Sequence, residues 1–135
     1  MKLSVYSRFK SNIQTRTGAI YSDEAMQDIV NQFNNIDTVY VSLDQIGMTT
    51  SDLEIGNGTV LGHVEKVSLE DGRIKFDLEL VELPVIMTSS DWEVSFMLDI
   101  SDEIFNEIRK NGSRVIKANE VVVADNIQLV PMGSK

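Results

Sequence analysis

The chain has no cysteine, which excludes disulfides and any cysteine-ligated metal. It has a single histidine, His63, so the usual base for a nucleophilic serine has one candidate. Prolines number two and glycines eight, too few for long disordered linkers. No run of about 18 apolar residues occurs, so no membrane-spanning helix is expected and no membrane partner. The segment Met1–Arg8 alternates too strongly to be the apolar core of a signal peptide. Positive charge is scarce: 12 Lys and Arg face 21 Asp and Glu, a net charge of -9. Such a field repels phosphate, so nucleic acid is not an expected partner. The densest basic stretch, Arg8, Lys10 and Arg16, reads as turn and strand-end charges.

What remains is 135 residues of ordinary globular composition, enough for one domain over 1–135 and too few for two. Residues 2–9 read as a strand, with Leu3, Val5 and Ser7 on one face and Tyr6 on the other. A polar stretch from Ser11 ends in a turn at Gly18. Ser22 is a good N-cap, and Asp23 and Glu24 suit the positive end of a helix. Met26, Ile29, Val30 and Phe33 then form one apolar stripe, and Asn34 and Asn35 end the helix. Thr38–Leu43 predicts a strand, and Asp44–Gly58 a loop.

Thr59–Leu69 and Arg73–Glu82 predict a hairpin about Glu70-Asp71-Gly72, where glycine supplies the positive φ that the turn needs. Ile74, Phe76, Leu78 and Leu80 alternate with Lys75, Asp77 and Glu79, a half-buried strand. After a connection over 84–90, Trp92, Val94, Phe96 and Leu98 alternate in the same way. A second helix starts at Ser101, buries Ile104, Phe105 and Ile108, and closes at Asn111-Gly112. Arg114–Lys117 and Val121–Val130 predict final strands. The fold class is α+β: a mostly antiparallel sheet or small barrel with two packed helices.

Ser95, mid-strand in the segment 91–98, is a plausible seat for a nucleophile. It needs a base within hydrogen-bond reach. His63 could serve only if the fold brings it to Ser95. On a regular strand it shares a face with Leu61, Glu65 and Val67, and a histidine beside a carboxylate reads as a paired surface residue. Asp44, Asp52, Glu54 and Asp99 do not match a calcium loop, so no metal site is expected, nor a cofactor. Gly56-Asn57-Gly58 lacks the following lysine of a phosphate loop. Val85, Ile86 and Met87 are apolar in a non-periodic connection, a pattern that marks a contact surface.

Read in order, the segments resemble the prohead (capsid maturation) protease family of tailed bacteriophages. Gly18-Ala19-Ile20-Tyr21-Ser22 before a helix is similar to that family's N-G-R-x-Y segment. Gly62-His63-Val64-Glu65-Lys66-Val67 followed by Asp71-Gly72-Arg73-Ile74 resembles its hairpin. Val94-Ser95-Phe96 resembles its nucleophile strand, and Asn126-Ile127-Gln128-Leu129-Val130-Pro131 its closing strand. The resemblance covers nearly the whole chain and implies a prohead-protease-like fold.

The departures from that pattern bear on activity. The position of the family's catalytic histidine falls within Val41-Ser42-Leu43-Asp44-Gln45, which holds none. Its acidic partner falls on Asn126, beside Asp125. Only the serine survives, as Ser95. A protease fold without its base implies a scaffold reused for binding. The expectation is a non-enzymatic virion structural protein that binds the major capsid protein lattice, most specifically a head decoration protein. It would be assembled in the host cytoplasm, where a cysteine-free chain is at home, with homo-oligomers possible. The alternative is an active serine-type maturation protease that uses Ser95 with His63 or an unusual base.

Overall fold

The computed structural model describes residues 1–43, 60–81 and 92–131. Six strands form the main sheet: β1 (Lys2–Tyr6), β3 (Tyr40–Leu43), β4 (Val60–Glu70), β5 (Arg73–Leu80), β6 (Trp92–Ser95) and β10 (Asn126–Pro131). Their order is β1-β5-β4-β3-β10-β6. All neighbours run antiparallel except β3 and β10. A single bridge between Ser7 and Val94 links the two outer strands and nearly closes the sheet on itself. Two ribbons flank it. β2 (Ala19–Tyr21) runs parallel to β8 (Arg114–Ile116), and β7 (Leu98–Ile100) pairs with β9 (Val121–Val123). The helices are α1 (Asp23–Asn34) and α2 (Asp102–Asn111).

Alternation decides which face is concave. Leu3 and Val5, then Ile74, Phe76, Leu78 and Leu80, point inward and are buried. Val41, Val94, Ile127 and Leu129 complete that inner layer. The tight turn of the β4–β5 hairpin is Asp71-Gly72, both at positive φ (52° and 78°). This is the backbone that a two-residue primed turn requires.

Helix α1 covers the open concave face with the predicted stripe: Met26, Ile29, Val30 and Phe33 are all buried. Ser22 Oγ caps it, accepting from Ala25 N–H (3.1 Å) and donating to the Ile116 carbonyl (2.8 Å). Two amides at its other end act as strand clamps. Asn34 exchanges hydrogen bonds with both backbone groups of Val67, and Gln32 bonds Val121 O and Val123 N.

Several elements differ from the sequence reading. The segment 91–98 is not one strand. β6 ends at Ser95, Phe96 turns into the core, and β7 pairs elsewhere. The alternation runs through the break because Phe96 and Leu98 still pack inward. Val121–Val130 likewise splits at Ala124-Asp125 into β9 and β10, which belong to different sheets. The three-residue β2 was not predicted as a strand. Phe105 is not buried but 51% exposed, at the edge of the α2 stripe formed by Ile104 and Ile108. β4 carries two irregularities, one against β3 at Leu61 and one against β5 at Glu65. They break the expected face, so Leu61 and Val67 are buried while His63 and Glu65 are not. The loop 44–58 and the connection 84–90 lie outside the described residues.

Arg114 ties β8 to α2 and to the turn before β9. Its guanidinium donates two hydrogen bonds to Glu120 (2.9 and 2.8 Å) and one from Nε to Glu107. Hydrogen bonds from Arg114 hold the Glu120 carboxyl below its ordinary pKa. A carboxylate lowered in the folded state adds stability above its unfolded pKa, lost as pH falls through the folded value. Arg114→Met should therefore cost about 1–2 kcal/mol at neutral pH after allowance for partial exposure. Most of that difference should vanish in acid below the ordinary carboxylate range. Urea titrations at both pH values check this; an equal loss at both would rule out the charge-assisted bonds as its source.

Candidate functional site

The strand register fixes where each predicted site residue stands. His63 on β4 is opposite Tyr40 on β3, and Tyr40 is opposite Asn126 on β10. These three form one cross-strand row. Ser95 on β6 is opposite Gln128 on β10, which is opposite Ser42 on β3. They form a second row, two residues further along. Both rows lie on the convex side of the sheet; the first is exposed, whereas in the second Ser95 and Gln128 are half-buried and Ser42 is buried.

Ser95 and His63 are thus three strands apart. At a strand spacing of about 4.8 Å that is roughly 14 Å along the sheet. Side chains diverge on a convex face, and proton transfer needs about 3 Å. The structure does not bring the two together. Of the segment 41–45 in which the resemblance places a catalytic histidine, residues 44 and 45 lie outside the described residues, and Ser42 shares the row of Ser95 two strands away. Ser42 holds a hydroxyl, which bonds the Ile127 carbonyl at 3.5 Å. Neither Ser42 nor Gln128 can take a proton from a serine near neutral pH.

Asp125 and Asn126 stand at the start of β10, both exposed, with the Asp125 carbonyl accepting from Tyr40 N–H at 3.0 Å. Glu93, on the same face as Ser95, pairs with Arg8 at 3.3 Å. Val85, Ile86 and Met87 lie outside the described residues, as do Asp44, Asp52 and Glu54. Asp99 is exposed on β7, opposite Val122.

A second feature was not anticipated. A groove of about 690 Å³ opens between the segment 8–17 and the β7–α2 corner. Phe9, Tyr21, Phe96 and Leu98 floor it, and Ile100, Phe105 and Ile108 form one wall. The aromatic floor continues into the core. Tyr21 lies 4.9 Å from Phe9 and Phe9 5.6 Å from Phe96, ring centre to ring centre, and Phe96 then meets both Phe33 and Phe76.

The segment that makes the opposite wall is built in by hydrogen bonds. Ser7 Oγ donates to the Phe9 carbonyl (2.8 Å), Ser11 N–H to Gly72 O (2.8 Å) and Asn12 N–H to Tyr21 O (2.8 Å). Thr15 closes it by donating from both N–H and Oγ1 to Ala19 O.

The rim carries Arg8, Lys10, Arg16 and Arg73. The sequence signal for it was the Arg8–Arg16 stretch, read as strand-end charge. Its significance emerges only when the fold adds Arg73 and an exposed Phe105. A second depression, of about 390 Å³, lies on the outer face of β1, β5 and β4. Four of its polar residues pair with one another: Lys2 with Glu65 at 2.8 Å and Ser4 with Asp77 at 2.6 Å.

The chain matches no family model, no curated protein and no solved structure.

Proposed function

We propose that the protein is a non-enzymatic structural component of a bacteriophage virion that binds the capsid lattice, most specifically as a head decoration protein. The observation that carries this reading is the row through Ser95. It holds two hydroxyls and an amide, and the sole histidine stands three strands away. A serine in such a row is a weak nucleophile, and no described residue of the row can act as its base. An α+β domain with a nearly closed sheet is the coarse architecture that the resemblance calls for, and a fold passes on its shape without its chemistry.

The test is mass spectrometry of purified mature particles of the encoding phage, with and without Ser95→Ala. Intact chain at many copies per particle, unchanged in the variant, is the expected result. Absence of the chain from mature particles, with uncleaved capsid protein in the variant, would replace this reading with a maturation protease.

A further inference from the structure

We infer that the groove between the segment 8–17 and the β7–α2 corner binds an acidic peptide segment of a partner protein, one that inserts a bulky apolar side chain between carboxylates. The inference stands apart from the virion reading, since it rests only on the groove.

The first argument is charge. In a chain of net charge -9, four of the 12 basic residues gather on this rim. No acidic residue among the described ones lines it. Arg8 is partly neutralised by Glu93. Lys10, Arg16 and Arg73 have no acidic partner among the described residues. Three uncompensated cations around one apolar floor form a positive focus that attracts carboxylates and repels other cations.

The second argument is the distribution of that charge. Arg8 sits over β6, and Lys10 and Arg73 over the β4–β5 turn. Arg16 lies in the turn before β2. A fatty acid or a phosphate headgroup brings its charge to one point. Cations supplied from three places suit carboxylates spread along a chain.

The third argument is the floor. It is aromatic and aliphatic, and its size falls within the ordinary range of about 300–1,000 Å³ for ligand sites. Phe105 and Ile13, both more than half exposed, stand at its lips. Apolar residues exposed around a groove are groups that a partner's Phe, Leu or Trp would cover. Single-stranded nucleic acid also favours aromatics among cations. Here, however, Tyr21 is buried, Phe9 and Phe96 pack on each other, and the rest of the surface is acidic. An acidic peptide is the better match.

The experiment is selection of a random short-peptide library on the immobilised full chain, followed by titration of the enriched peptide. Enrichment of Asp and Glu around Phe, Leu or Trp is expected, with affinity that falls as salt rises. Lys10→Glu with Arg73→Glu should keep the unfolding transition and lower affinity at least about tenfold. Phe105→Ser should do the same, and its exposure makes it tolerable to the fold. No enrichment, or enrichment of peptides lacking acidic residues, would overturn the inference. So would affinity indifferent to both variants, or displacement of the peptide by oligo(dT) or oleate at lower concentration than by itself. A virion result of either sign leaves these outcomes readable.

Discussion

Gly62→Ala is expected to unfold the protein or cost it more than about 3 kcal/mol, beyond the usual range for overpacking. Gly62 lies on β4 opposite Leu80 of β5. A methyl group built there runs into the backbone carbonyl of Glu79 and comes within 2.9 Å of Leu80 Cα. Both obstacles are main chain, so no side-chain rotation relieves the contact. The strands must separate at the point where β4 also carries β3, between the irregularities at Leu61 and Glu65. Separation would forfeit ladder bonds on both sides. Urea unfolding, or loss of the folded far-ultraviolet spectrum, checks this. A variant within about 1 kcal/mol of the parent would mean that β4 and β5 do not approach as described.

Phe33→Ala should cost about 3–5 kcal/mol, the range for removing a buried aromatic ring. Phe33 is the α1 side chain that enters the sheet. It meets Phe76 edge-on at 5.3 Å and Phe96 edge-on at 5.4 Å. Removing it deletes both ring contacts and leaves a void where the helix meets the concave face. Phe33→Leu refills much of that volume and should lose less. Trp92, the sole tryptophan and buried, reports unfolding by fluorescence. Equal stability of the Ala variant and the parent would place Phe33 outside the core.

What could be read in the sequence was local. The α1 stripe and its Ser22 cap lie within a few turns of chain, and the structure reproduces both. The hairpin about Asp71-Gly72 follows from two residues at positive φ between alternating strands. Pairing between distant segments left no such trace. Nothing in 126–131 alone says that this strand inserts beside residues 40–43.

The break after Ser95 was hidden because Phe96 keeps the alternation while leaving the sheet. Phe105 was misplaced because it sits one position beyond Ile104, at the edge of the stripe, where the groove opens. The groove itself draws on several separate segments. Its one sequence trace was a short basic stretch in an acidic chain. Of the earlier site residues, Ser95 and His63 are well placed in the sheet but in different rows, a fact of register that spacing along the chain does not encode.

The strand order has a consequence for how the molecule is made. β10 is the final described strand in sequence, yet it lies inside the sheet, between β3 and β6. During synthesis, β1, β4 and β5 can form their ribbons early. β3 then waits with one bare edge, and β6 waits for its antiparallel neighbour, until residues 126–131 leave the ribosome. β2 waits in the same way for β8. Such pairings pay the entropy of closing a long loop before any contact rewards them. A nascent chain halted before β10 displays open strand edges and an uncovered apolar face, the features on which aggregation and chaperones act. Closure of the sheet thus follows the synthesis of its other strands, and β10 acts as its keystone.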